Sequence, residues 1–525
     1  MNIPLPEYTP ALLVAIPLLG AFLTPLLSKI NEKVRNIFVL AILGLIVYYV
    51  SILSYTIFTK STAEQSYVKT YIFGAQDITL PLVRIVFTVD ALSMVMAIIA
   101  SVLLLVVVIY SWSFMKEYSG LDKYYTLLLL LTAGILGMIL TGDLFNLFVF
   151  IEITSIASAA LVAFWVDKGE SIEAGFKYIL ISTIGALFVL FAVALLYGQY
   201  NALNIAVLSN AIQYTFIDKI ALILFIVALA MKAGLAPMHM WLPDSYSRAP
   251  SSVTLALVAA TLVSLYAVLR MIFTLYGNAL LEFAKIDLPV HVFIGWLLIP
   301  LAIASIIIGV MMALRQTDFK RLIGFAAVAE IGYIFLAIGT GLAALGTAFG
   351  RTALEGGIFH ILNDALDVGL LFLVAGAIYY STKEWSLDSL GGLARNMKYT
   401  TIFFVIGLLA VSGMPPFNGF SSKLLIYQST FQLNPILAIV AILCSILLLA
   451  AFVKVFYSAF MGPKLPQFEK VKEVPKTMLC GMFILSVLII FIGLFPGIVV
   501  DNIIQPAVAA LLDNAPYLSA VLGGV

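Results

Sequence analysis

The sequence predicts an all-α membrane protein of about fourteen transmembrane helices, with two inverted five-helix repeats and two broken helices. Three observations carry that prediction. Of 525 residues, 63% are hydrophobic and only 10% are Asp, Glu, Lys or Arg, whereas an ordinary soluble domain carries about 25% charge. Fourteen apolar runs reach the length of about 20 residues that a span requires. Two of those runs are interrupted by proline, each with a lysine close by.

Taken in order, the spans fall near 8–28, 35–58, 89–113, 123–141, 144–166, 172–197, 217–240, 250–275, 291–314, 321–345, 352–381, 400–430, 434–460 and 475–497. The first carries Glu7 instead of a positive leader and has no cleavage pattern, so it reads as a retained span. The tail after Asp501, IIQPAVAALL, reads as a short interfacial helix. Long alternating polar and apolar segments are absent, which argues against a β-barrel. The chain divides into spans 1–3 (1–113), a first repeat of spans 4–8 (123–275), a second of spans 9–13 (291–460), and the last span with its tail (475–525). Of the 28 Lys and Arg, 18 fall in the odd-numbered loops and 6 in the even-numbered ones, at 60, 69, 84, 219, 285 and 351. By the positive-inside rule the odd loops face the cytoplasm and both termini lie on the outer side of the cell, or other energy-transducing, membrane.

Composition also excludes chemistry. A net charge of +1 gives no draw toward nucleic acid. Cys444 and Cys480 form no CxxC pair, so this chain alone holds no iron–sulfur cluster. His239, His291 and His360 do not make a zinc or haem set, and no GxxxxGK[ST] or HExxH motif is present. No catalytic centre, cofactor or metal site is expected in the chain itself.

The breaks read VSGMPPFNGFSSKLL in span 12 and ALAMKAGLAPMHMWLPD in span 7. Proline removes a backbone donor, and the freed carbonyls are tolerable in lipid only where protein or cavity water meets them. Lys232 precedes its break and Lys423 follows its own. That reversal points to inverted repeats with discontinuous helices near the midplane, an architecture of transporters.

Several ionisable residues lie inside these spans. Glu152 sits well within span 5, where a carboxylate costs about 2.5–3.5 kcal/mol on insertion scales unless paired or hydrated. A lysine such as Lys232, whose distance to Glu152 can change, switches its affinity for a proton. The bland alternative is a static ion pair pinning two helices. His239 suits a relay near neutral pH, or simply caps freed carbonyls. His360 and Asp364 share a helix face, with Asp367 nearby; they read as a hydrated polar path or a local network. Lys423 reads as part of an ion pathway. Asp143 is an ion-path candidate or only a helix cap, and Glu330 is a further mid-span candidate. Arg270 and Lys454 read as snorkelling to the membrane surface. His291 reads as interfacial, and Arg315, Lys320 and Arg321 as a cytoplasmic orientation signal.

At these residues the chain resembles the antiporter-like membrane subunits shared by respiratory complex I, Mrp-type Na⁺/H⁺ antiporters and membrane-bound hydrogenases. The resemblance runs from about residue 85 to 500. It rests on FTVDALSM at 87–94, KYYTLLLL at 123–130, TGDLFNLFVFIEI at 141–153, KAGLAPMHMWLPDSYSRAPSSV at 232–253, TDFKRLIGFAAVAEIGY at 317–333, FHILNDALDVGLLFLVAG at 359–376 and GMPPFNGFSSK at 413–423. It implies fourteen spans and a mid-depth chain of charged residues at Glu152, Lys232, His239, His360 and Lys423. It also implies partner membrane subunits, including a further antiporter-like one, with iron–sulfur or other redox centres left to those partners. Where the family usually has lysines in spans 8 and 11, this chain has Leu262 and Val368, and Asp364 replaces a second histidine. That fits either a changed ion, such as Na⁺ at carboxylates, or a partly degenerate subunit kept for coupling. The expected function is translocation of protons, with Na⁺/H⁺ antiport as a variant, inside a multi-subunit complex. That complex is an oxidoreductase (hydrogenase, sulfur reductase or quinone-linked dehydrogenase) or a non-redox Mrp antiporter. A structural subunit and a stand-alone antiporter are the alternatives.

Overall fold

The computed structural model describes residues 8–73, 85–277, 289–463 and 465–523; Glu7, Arg84, Lys285 and Lys464, used above, lie outside them. Twelve of the described helices are long and apolar enough to cross a membrane, or thirteen if a bent pair near the C-terminus counts as one. In chain order they begin with α1 (Thr9–Ser28), α2 (Glu32–Lys60), α3 (Ala91–Phe114), α4 (Leu121–Leu140), α5 (Leu144–Val162) and α6 (Gly169–Tyr200). After the short α7 (Ile205–Ala211), the expected seventh span is divided into α8 (Phe216–Ala233) and α9 (Trp241–Arg248). Then follow α10 (Ser251–Leu269, continued by a π-turn to Leu275), α11 (Val290–Arg315), α12 (Phe319–Ala343) and α13 (Ala348–Thr382). The expected twelfth span is likewise divided, into α14 (Lys398–Val411) and α15 (Asn418–Leu433); α16 (Pro435–Val455) and α17 (Lys476–Leu494) complete the set.

Polar residues outside the helices fix where they start. Asp90 and Thr215 close capping boxes on α3 and α8, and Asp143, Asp318 and Thr347 cap α5, α12 and α13 through their side chains. Three helices, α10, α12 and α13, have spans buried throughout by their neighbours. Around them stand helices that keep large apolar side chains exposed, as α6 does with Phe176, Leu180, Leu187 and Phe191. Such a surface is stable against lipid and not against water. The molecule is therefore a multi-pass membrane protein, and the core of the bundle is where charged residues can be sheltered.

Three details depart from the sequence reading. The chain is not wholly α: strands β1 (Lys69–Phe73) and β2 (Ile85–Val89) pair antiparallel, with Lys69 opposite Val89 and Phe73 opposite Ile85. The tail is packed into the bundle rather than lying alone: α18 (Gln505–Leu512) rests against α3. Its small residues Ala507, Ala509 and Ala510, buried with Val508 and Leu511, allow that approach. The last helix, α19 (Ala515–Leu522), turns back by 72°. Its Tyr517 accepts a hydrogen bond from Thr88 and lies under the Arg270 guanidinium.

Three basic residues are also placed differently. Arg270 does not snorkel; it is buried in an ion pair with Asp90, with Tyr266 and Thr274 each accepting a further hydrogen. A side chain reaches the membrane surface only if its helix face is open, and this face is covered by α3 and the tail. Lys454 donates to the carbonyls of Leu314 and Gln316 and so caps the end of α11. Lys320 is fully buried, bonded to the Ala249 carbonyl and lying over the Trp385 ring, rather than free in a loop.

Candidate functional site

At the first break the chain leaves α8 through Gly234, whose φ of +86° is left-handed. The freed backbone groups find protein partners. Ala236 N–H donates to Ser305 Oγ at 2.7 Å, and the Trp241 indole donates to the Met231 carbonyl at 3.0 Å. This is the condition under which a helix can open inside a bilayer. Lys232, in the last turn of α8, is buried. Its ammonium donates to Ser155 Oγ of α5 at 2.8 Å and to the Ser182 carbonyl of α6 at 3.2 Å.

Beside Lys232 is a cavity of about 10 Å³ lined by Thr154, Ser155, Tyr178, Ser182, Thr261 and Ser264 among others. It has room for about one water molecule. Glu152, half-buried, stands one helical turn from Ser155 and within electrostatic range of Lys232. The two make no ion pair among the described residues: hydroxyl and carbonyl hold the ammonium, and the carboxylate stands off. His239 lies buried in the break itself, its Nδ1 without a hydrogen bond and not joined to either lysine.

The second break has the closed arrangement. Gly413, at φ +69°, ends α14, and Lys423 sits in the second turn of α15. The Lys423 ammonium donates to the Val411 carbonyl at the end of α14 (2.7 Å) and to Oε1 of Glu330 on α12 (2.8 Å). A cation at the carbonyl end of a half-helix is favoured by the helix dipole. The other Glu330 oxygen is 2.8 Å from His360 Nε2, and His360 Nδ1 is 3.0 Å from Ser422 Oγ. An ionised carboxylate only accepts, so Nε2 carries the hydrogen shared with Glu330. Tyr333 places its ring 4.6 Å from the ammonium.

The sequence-predicted residues thus separate into two groups. Lys232 and Glu152 gather at the first break. Lys423, Glu330, His360, Asp364 and Asp367 gather at the second, all of them buried. His360 and Asp364 share a helix but not a hydrogen bond; the partner of His360 is Glu330 on another helix. Asp143 is the N-cap of α5, bonded to Asn146 N–H at 2.9 Å, and not part of either group. His291 lies in the first turn of α11. Two asparagines went unnoticed in the sequence: Asn363 donates to Ser422 Oγ and to the Asn418 carbonyl, and Asn418 donates back to Asn363 Oδ1 at 3.1 Å. Between the groups Leu262 and Val368 are buried and apolar. Thr261 and Tyr246 supply the polarity there, their hydroxyls 2.7 Å apart; Thr261 lines the Lys232 cavity, and Tyr246 lies within electrostatic range of Asp364.

A family profile described as "NADH:quinone oxidoreductase/Mrp antiporter, TM" covers residues 141–449. The NADH-quinone oxidoreductase subunit N of Desulforudis audaxviator is 34% identical over 404 residues, 73% of this chain and 76% of that one. A chain of the Mrp complex from a Dietzia species superposes with a TM-score of 0.85 at 25% identity, covering each chain in full. A chain of a membrane-bound sulfane sulfur reductase, an archaeal respiratory membrane complex, gives a TM-score of 0.85 at 28% identity over 98% of this chain and 100% of that one. With its two divided helices and their buried lysines, the chain belongs to the family of NADH:quinone oxidoreductase/Mrp antiporter transmembrane subunits.

Proposed function

We propose that the chain is an ion-translocating subunit of a multi-subunit membrane complex, whose redox chemistry or driving ion gradient is handled by partner membrane subunits, a further antiporter-like chain among them. The observation that carries this is the pair of unlike lysine sites. Lys423 is locked to Glu330, whereas Lys232 is held by neutral groups beside a water-sized cavity, with Glu152 one turn along α5 from its partner Ser155. Such an ammonium can lose or regain a proton as Glu152 approaches or withdraws. The two divided helices cross the membrane as well, giving fourteen spans with both termini outside. Spans 4–8 and 9–13 form inverted repeats, in which Glu152 corresponds to Glu330 and Lys232 to Lys423. Protons enter from the cytoplasmic face at Glu152, and the hydroxyls of Thr261 and Tyr246 link the first group to the second where the usual lysine is missing.

Ion flux into vesicles carrying the intact complex tests the proposal. Glu152→Gln and Lys232→Ala are each expected to lower proton movement by about tenfold or more, as general acid–base groups do; unchanged movement in both overturns it. The second reading, a scaffold that passes no ion, is favoured by the apolar Leu262 and Val368. It predicts flux of the complex that is indifferent to both substitutions.

A further inference from the structure

The half-helix α9 has only eight residues, yet it joins the pocket of Lys232 at one end to the helix of Glu330 at the other. Its first residue is Trp241, whose buried indole donates to the carbonyl of Met231, the residue before Lys232 in the last turn of α8. The Trp241 ring meets Tyr178 edge to face, with centroids 5.1 Å apart, and Tyr178 lines the water-sized cavity. Further along α9 the Tyr246 hydroxyl is 2.7 Å from that of Thr261, in the same lining. The stem of Lys232 is confined as well: a Cβ added at Gly185 of α6 would stand 3.1 Å from its Cγ. Among the described residues, the titratable groups facing Lys232 are Glu152 from α5 and Tyr178 from α6, while α10 offers the hydroxyls of Thr261 and Ser264.

The other end of α9 is clamped. Asp244 pairs with Lys177 of α6 at 2.9 Å and with Arg321 of α12 at 3.2 Å. Arg248 pairs with Glu170 of α6 at 3.1 Å and with Asp318, the N-cap of α12, at 3.3 Å. Lys320 of α12 bonds the Ala249 carbonyl just past the end of α9. The two helices approach so closely that a Cβ on Gly324 of α12 would lie 3.0 Å from Cα of Pro243. A lone exposed ion pair contributes little to stability, but a network with shared partners holds a geometry. Here two residues of α9 each bridge α6 and α12, so a shift of α12 carries α9 with it.

We propose that Trp241 is a positioning residue for Lys232, and that α9 is a strut through which α12, the helix of Glu330, sets the shape of the Lys232 pocket. The inference rests on the translocation reading and adds a mechanical link where Leu262 interrupts the polar one. A displacement of α12 pulls on Asp244, Arg248 and Ala249. The strut delivers it through Trp241 to the Met231 carbonyl and through Tyr178 and Tyr246 to the cavity wall. Lys232 then changes its distance from its neutral partners, and hence its hold on a proton, without a proton passing between the two groups.

The test uses the full chain with its co-purifying subunits. Its first arm reads no flux: thermal unfolding in mild detergent is followed as a function of pH. Trp241→Phe keeps the ring and loses the N–H. It should change the pH dependence of unfolding, and the change should vanish when Lys232→Ala is already present. A loss equal at every pH, and equal with and without Lys232→Ala, marks an indole that only packs and overturns the positioning role. The second arm follows proton movement against pH in vesicles carrying the intact complex. Trp241→Phe should move the midpoint of that profile by about half a unit or more, the size that one lost hydrogen bond carries. Asp244→Asn, which breaks two pairs of the clamp, should move it in the same direction, while Asp244→Glu, which keeps the charge, should stay near the parent. Asp244 lies at the partly exposed end, so its variants decide even if Trp241→Phe fails to fold; a midpoint unmoved by Asp244→Asn overturns the strut. Proton movement indifferent to Glu152→Gln and Lys232→Ala sinks the translocation reading instead, and the unfolding arm then still decides the role of Trp241.

Discussion

Glu330 holds two buried partners at once, because Lys423 and His360 both bond its carboxylate. Glu330→Gln leaves an ammonium buried without its carboxylate, a loss of about 3–5 kcal/mol; thermal unfolding in detergent should drop accordingly. The double variant Glu330→Gln, Lys423→Met should recover most of it, because the stranded charge is gone. Asp143 responds to pH in the opposite sense to a salt-bridged acid. Burial, partly offset by the N–H groups of Asn146 and Phe145, pushes its carboxyl from 3.8 up to about 6. The folded chain then holds this proton more tightly than the unfolded one, so the contribution is present below about pH 4 and lost as pH rises to about 6. Asp143→Asn, which still caps α5, should flatten stability measured across that window; an unchanged slope would discount the burial. The lysines at the breaks were legible from sequence because proline and apolar context announce them. Glu330 was visible only as a mid-span acid, since no local spacing says which helix it will face. Asn363 and Asn418 carry no charge and gave no signal at all.

The two breaks show how an element can be opened without leaving backbone groups stranded. The proline positions told where the helices divide, but not how the ends are repaired. Ser305, Trp241 and the Lys423 ammonium do that work from other helices or from beyond the break. Gly413 is the joint on which the second repair depends. Its φ of +69° disfavours any side chain, and an added Cβ would stand 3.0 Å from Cδ of Lys423. Gly413→Ala should therefore cost about 1–2 kcal/mol from the backbone alone, and more if the Lys423 contact with Val411 is displaced. A stability within error of the parent, by denaturant or heat, would show that the joint can relax. The misplaced Arg270 and Lys320 belong to this scale as well. Nearness to a helix end suggested an exit to water, but the packing of neighbouring elements closed that exit.

At the scale of the whole molecule, the span pattern and the list of polar intruders were readable because oil imposes a simple arithmetic on composition. The pairing of helices was not, for lipid-facing and protein-facing apolar residues look alike in one dimension. The clearest instance is α10, α12 and α13, buried all round although each is long and apolar enough to face lipid. Arg270 draws its companions from Asp90 far upstream and from Tyr517 far downstream. During biosynthesis the acid is already in place when the guanidinium arrives, and the aromatic ring comes last. The guanidinium therefore has its counter-charge on arrival but gains its ring cover only after some 240 further residues have been added, so this corner of the bundle closes late.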